Sequence, residues 1–175
     1  MIWFSSDHHF GHKNIISHSK RPFSSVEEMD EKLIQFWNEC VKKEDTVYYL
    51  GDIMFHSNGE MVRKILDSLN GKIILVKGNH DKNIKYKERF SEICEYKEIY
   101  HEDASIEGGK RPIVMCHYAF KTWNKKHYGA WNLFGHSHGN IQMEWGACDV
   151  GVDSWNYKPV CFEQIKKCFN GIKNE

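Results

Sequence analysis

Ile73-Ile74-Leu75-Val76-Lys77-Gly78-Asn79-His80-Asp81 sets the frame for the rest of the chain. Its first four residues are an apolar run closed by a break, the pattern of a buried strand. Lys77 and Gly78 end the run, so Asn79, His80 and Asp81 fall at a strand's C-terminal end. Open α/β sheets place their chemistry there. Asn79 offers an amide oxygen, His80 an imidazole, and Asp81 a carboxylate to orient it. Alone, such a triplet reads as a polar turn. Here four more clusters carry His, Asp or both, and most of them directly end an apolar run.

Upstream, Ile2 to Ser6 reads as a first strand, followed by Asp7-His8-His9 and Phe10-Gly11-His12. Strand alternation puts Asp7 and His9 on one face, suited to holding one metal ion, with His8 pointing the other way. Residues 13–25 read as a loop. Ser25-x-x-Glu28 is a capping box, and the stripe from Val26 to Cys40 predicts an amphipathic helix to about Lys43. Thr46–Leu50 is a second strand, ending in Gly51-Asp52. Ser57-x-x-Glu60 is a second candidate box, and Gly71 sits where a helix would close. Strand, helix, strand, helix, strand implies a parallel sheet with right-handed crossovers.

Downstream, residues 82–92 are charged and read as a short helix or loop. Short apolar runs then alternate with turn signals: Ile93–Tyr100, Ala104–Ile106 and Ile113–Cys116, the last ending in His117. Residues 118–128 form a loop rich in Lys and aromatics. Trp131–Phe134 ends in Gly135-His136-Ser137-His138. Ile141–Trp145 and Ala147–Val152 read as a hairpin or adjacent strands, then Asp153-Ser154-Trp155, then a short C-terminal helix from Phe162. The expected outcome is an α/β half and a mainly antiparallel β half, packed as two central sheets with helices outside.

At 175 residues the length predicts a single domain spanning 1–175. Lys plus Arg is 24 and Asp plus Glu is 24, so net charge gives no global argument for a polyanionic partner. The six cysteines include no Cys-x-x-Cys pair and read as reduced residues of a cytoplasmic protein. The apolar stretch after Met1 is too short for a signal peptide's core, and no run approaches a membrane span.

Collected, the strand ends carry Asp7, His9, Asp52, Asn79, His80, His117, His136 and His138. Setting His80 aside leaves seven nitrogen and oxygen donors and no thiolate. One tetrahedral structural zinc would use about four ligands, usually including Cys. Seven suit two ions with open positions, and two ions ~3.5–4 Å apart serve in-line displacement at phosphorus. A carboxylate must bridge them, and Asp52 is the one without a local partner.

Asp7-x-His9, Gly51-Asp52, Gly78-Asn79-His80-Asp81, His117 and Gly135-His136-x-His138 resemble, in order, the five motifs of the calcineurin-like metallophosphoesterases. The Asp-His-His-Phe-Gly-His…Arg-Pro-Phe string resembles a small bacterial and phage branch of that family. The resemblance implies an α/β fold of two packed mixed sheets flanked by helices, a four-layer sandwich. It implies that Asp7, His9, Asp52 and His138 hold a first metal, that Asp52 bridges, and that Asn79, His117 and His136 complete a second. It leaves His80 unligated as general acid, with Asp81 fixing its tautomer. The implied cofactors are two divalent transition-metal ions, manganese first, with iron, zinc, nickel or cobalt as alternatives. The implied reaction is hydrolysis of a phosphate ester by a hydroxide on the metals; between mono- and diesters, diesters or broad activity are expected.

His12 and Arg21 are further candidates for meeting a substrate phosphate, Arg21 bidentately. In the loop, Lys121, Trp123, Lys125, Lys126, His127 and Tyr128 are expected to contact a nucleotide-like substrate by stacking a base and holding phosphates, with a solvated lid as the alternative reading. His18, His56 and His101 read as ordinary polar positions. A nuclease acting on single strands is the rival enzyme reading: the basic aromatic loop supports it and zero net charge weighs against it. A non-catalytic binding module on this fold would have eroded ligands, and none is eroded here.

Overall fold

The computed structural model describes residues 1–172. The elements are β1 (Ile2–Ser5), α1 (Lys13–His18), α2 (Val26–Cys40), β2 (Thr46–Tyr49), α3 (Gly59–Ser68), β3 (Lys72–Val76), β4 (Phe90–Cys94), β5 (Lys97–Glu102), β6 (Lys110–Met115), β7 (Trp131–Phe134), β8 (Ala147–Asp149), β9 (Val160–Cys161) and α4 (Phe162–Ile172). They build two mixed sheets, ordered β4-β3-β2-β1-β9 and β5-β6-β7-β8.

The first sheet follows the periodicity. β1, β2, β3 and β4 are parallel neighbours, and β9 closes the edge antiparallel to β1. The central strands β2 and β3 pack on both faces, which is why they read as continuous apolar runs, whereas the edge strand β4 exposes Ser91 and Glu92. Val47, Tyr49, Ile73 and Leu75 pack against Met29, Leu33 and Trp37 of α2 and Ile65 and Leu66 of α3. Phe4, Leu50 and Val76 instead join Ile113, Met115, Leu133 and Cys148, with Phe162, Ile165 and Phe169 of α4. The sheets thus share a core. Ser25 caps α2 through Oγ, 3.1 Å from the Glu28 N–H.

The second half departs from the reading. β5 and β6 are antiparallel, but β6–β7 and β7–β8 are parallel. The turn signals suggested hairpins. The connections are instead long enough to carry the chain back over the sheet before each new strand starts. The Ile93–Tyr100 run is two strands, β4 in one sheet and β5 in the other, and the chain changes sheets between them. Ala104–Ile106 lies in turns. Of Ile141–Trp145, Glu144 alone makes a strand-type contact, an isolated bridge to Ala147. Residues 13–18, read as loop, form α1, and α3 is capped by Asn58 rather than Ser57. Among the described residues no helix is long and apolar enough to cross a membrane.

Candidate metal centre

The polar clusters leave the strand ends in left-handed turns. Asp7, His9, Asp52, His136 and His138 all have positive φ, between 48° and 65°. Non-glycine residues rarely adopt this conformation, and it concentrates at functional sites. Asp7 and His9 therefore converge through turn geometry, not through the strand alternation expected of them. Cross-links fix the turns: Asp7 N–H donates to Gly51 O at 3.0 Å, His9 N–H to Asp52 O at 3.1 Å, and His136 N–H to Asp7 Oδ2 at 2.9 Å. Two glycines allow the approach. A Cβ on Gly78 would lie 2.2 Å from Asp52 Oδ1, and one on Gly135 would lie 2.5 Å from Asp7 Oδ2.

Two sets of side chains result. Asp7, His9 and His138 present ligand atoms within 4.8 Å of one another, and Asp52, His117 and His136 do the same. Asp52 Oδ2 stands between the sets, 3.7 Å from His9 Nε2 and 3.5 Å from His117 Nε2. Asn79 Oδ1 is 3.0 Å from His117 Nε2.

These residues fit metal ions. His117 Nδ1 lies 2.7 Å from Leu50 O, so it carries the proton and leaves Nε2 as a lone pair. That lone pair faces a carboxylate oxygen and an amide oxygen, an arrangement that a metal cation between them would relieve. Asp7 Oδ1 and both His9 ring nitrogens are buried without a hydrogen-bond partner, and such orphans need an explanation. Burial pushes the Asp7 carboxyl up to about 8, against the lowering effect of His138. Burial likewise pulls His9 down to about 2. A bound cation would hold that carboxyl ionised, and it would take the neutral imidazole as a ligand as it stands.

His80 sits at the rim. Its ring is half-exposed, with Nε2 3.8 Å from Asp52 Oδ2, and it meets Phe55 edgewise at 4.9 Å. Asp81 does not orient it. The Asp81 carboxylate accepts from Asp52 N–H at 2.7 Å and Gly78 N–H at 2.8 Å, tying two site loops together, and among the described residues no hydrogen bond joins it to His80. His12 stacks on Phe55 at 3.9 Å and lines a cleft of about 340 Å³ with His9, His80, His136 and His138.

Arg21 is not a phosphate clamp. Its side chain is fully buried. Nε and Nη2 donate to the two Asp153 carboxylate oxygens at 2.8 Å each, Nη1 to His8 O, and Nη2 also to Asp7 O. The remaining N–H faces Met29 Sδ. Asp153 in turn accepts from His138 Nδ1 at 2.7 Å. Burial pulls the His138 imidazole down, but the Asp153 bond and the Asp7 charge outweigh it and the net shift is upward. Asp153 thus holds a candidate ligand and was not singled out in the sequence, although it follows an apolar run as Asp7 and Asp52 do. Asp149 was missed too: it accepts from Gly139 N–H and Gly151 N–H and holds the turn bearing His136 and His138.

The 118–128 segment does not stack a base through Trp123. That ring is buried on the outer face of the second sheet with Val114, Ala130 and Phe134. Lys126 lies over it at 4.2 Å, and Lys125 is engaged by Tyr100. Tyr118, at the start of the segment, is where it meets the site, with ring centroids 5.1 Å from His117 and 4.8 Å from His136.

A family model for calcineurin-like phosphoesterases matches residues 1–156. The chain is 36% identical over 174 residues to an uncharacterized protein of Methanocaldococcus jannaschii, covering 95% of this chain and 89% of that one. It is 26% identical over 200 residues to the Gene 66 protein of Mycobacterium phage L5, covering 99% and 96%. A solved structure of a protein of unknown function from Aquifex aeolicus superposes with TM-score 0.73 at 27% identity, over 96% of this chain and 98% of that one.

Proposed function

This chain belongs to the calcineurin-like phosphoesterase family, and from that premise we propose that it hydrolyses phosphate diesters ahead of monoesters with two divalent ions. The observation that carries the reading is the pair of donor sets, with Asp52 Oδ2 of one set also 3.7 Å from His9 of the other, and with buried donors that have no hydrogen-bond partner. Asp7, His9 and His138 would hold one ion, Asn79, His117 and His136 the other, and Asp52 would bridge. Imidazole, amide and carboxylate donors without thiolate admit manganese, iron, zinc, nickel or cobalt, and manganese is the ion to supply first. When bound, the ions would lower the pKa of a water and neutralise charge on the phosphoryl oxygens.

The protein's own groups supply the rest. His80 has no ring hydrogen bond among the described residues, and its backbone N–H donates to Asp52 Oδ1 at 2.9 Å, fixing the loop beneath it. Its free ring nitrogen would give a proton to the leaving oxygen. The cleft above the two sets is lined by imidazoles, Asp52, Asn79, Ile15, Ser19 and Asn140, with no Lys or Arg. A monoester dianion would want fixed cations there; a diester monoanion needs fewer, which favours diesters.

Chelator should abolish turnover of an activated diester and manganese should restore it; undiminished turnover in excess chelator would refute the reading. His80→Ala should keep its metal by elemental analysis while kcat on an alkyl diester falls roughly 10²–10⁴-fold. The loss should be smaller for a p-nitrophenyl ester, whose leaving group scarcely needs a proton. Loss of an ion in that variant would make His80 a ligand instead.

A further inference from the structure

We propose that a second cleft, beside the Asp52–His117–His136 set, holds one substituent of the diester, and that this substituent is a nucleoside carrying a further phosphate. The inference rests on the diesterase reading above and names its substrate class. The cleft, of about 420 Å³, is lined by Lys77, Gly78, Asn79, Lys82, Glu95 and Tyr118, among others. Asn79 lines both clefts, so they meet at a candidate metal ligand.

Two of its features would be unused by a small aliphatic substituent. The first is Tyr118. The residue is 47% exposed, yet its ring is held edgewise by His117 and His136, with interplanar angles of 73° and 67°. An aromatic surface fixed in place but open to solvent is a stacking platform for a base, and little side-chain freedom remains to be lost on binding. The second is charge. Lys77 is neutralised by Glu95 at 2.8 Å. Lys82 is exposed and has no ion pair or hydrogen bond among the described residues, so the cleft keeps one unspent positive charge. The other cleft offers no such pair: Phe55 and His12, at its edge, stack on each other.

His80 lines the first cleft and not the second, which places the leaving group over the first. The bond from phosphorus to that group breaks, water supplies the new oxygen on phosphorus, and a proton from His80 ends on the leaving oxygen. The nucleoside remains beside Tyr118 as its phosphomonoester.

Three esters with a common leaving group test this on the manganese-loaded full chain: methyl p-nitrophenyl phosphate, thymidine 5′-(p-nitrophenyl phosphate), and the latter with a 3′-phosphate. kcat/KM should rise roughly tenfold at the first step through stacking and about threefold at the second through Lys82. Tyr118→Leu, which keeps bulk against His117 and His136, should erase the first gain. Lys82→Gln should erase the second. In each variant the loss on the esters that carry the group concerned should exceed any loss on the methyl ester. Calorimetric binding of thymidine 3′,5′-bisphosphate reads the same contacts without turnover, and both variants should weaken it. Absence of turnover on all three esters would overturn the diesterase reading. Equal kcat/KM across the series, equal bisphosphate affinity in all three proteins, or a methyl ester slowed as much as the nucleoside esters in Tyr118→Leu would overturn this inference.

Discussion

Arg21, Asp153 and His138 form a chain that no spacing in the sequence announces, because its members are 132 and 15 residues apart. Arg21 holds the carbonyls of Asp7 and His8 with the same guanidinium that grips Asp153. One buried ion pair therefore fixes the Asp7 turn and the His138 ring together, and both belong to the same candidate metal set. A carboxylate on the far nitrogen of a ligating imidazole sets its tautomer and raises its basicity. Asp153→Asn keeps the shape but removes the charge. It should weaken metal at the Asp7–His9–His138 set roughly 10- to 100-fold, leaving the Asp52 set loaded. Elemental analysis at limiting manganese should then find nearly one ion where the unaltered protein holds two. Two ions held with unchanged affinity would reduce Asp153 to a packing partner of Arg21. Breaking such a buried pair also costs stability, so a melting curve should accompany the measurement.

At the scale of elements, the first sheet was legible because each of its first three strands is an apolar run closed by a polar end, and α2 and α3 carry their apolar stripes between them. The same polar ends exposed the candidate ligands: Asp52, Asn79, His117, His136 and His138 all follow strands of the structure directly or within a short turn. The second sheet was harder for a physical reason. Whether β6, β7 and β8 run parallel or antiparallel depends on where their connections travel, and strand composition does not record that. The corner between β4 and β5 was hidden because both flanks are partly apolar, and α1 because its six residues bury only Ile15. The turns themselves were illegible: positive φ at Asp7, His9 and Asp52 is imposed by cross-links to other loops, not by glycine. Tertiary contacts also decided Arg21, whose apparent reach toward solvent in a loop ended in a buried carboxylate.

Across the whole molecule, each candidate metal set draws on both sheets. Asp7 and His9 follow β1 of the first sheet, while His138 follows β7 of the second; Asp52 follows β2, while His117 and His136 follow β6 and β7. Bound ions would therefore join the two layers at one edge, as the cluster of Phe4, Leu50, Val76, Ile113 and Leu133 joins them in the interior. Without ions that edge gathers two buried carboxylates and several imidazoles with unmet donors and acceptors, an arrangement that favours loosening. An ion that binds the folded chain alone stabilises it by about 2.7 kcal/mol at a hundredfold excess over Kd. For a chain of this size that corresponds to roughly 5 to 10 °C in Tm per ion. Calorimetric Tm should thus climb with manganese and fall with chelator. His80→Ala should follow the same curve, because that residue lies outside both sets. Asp52→Asn should lose most of the shift, because its charge faces both. A Tm indifferent to manganese and chelator would mean that the two sets do not hold ions across the sheets, however close their side chains stand.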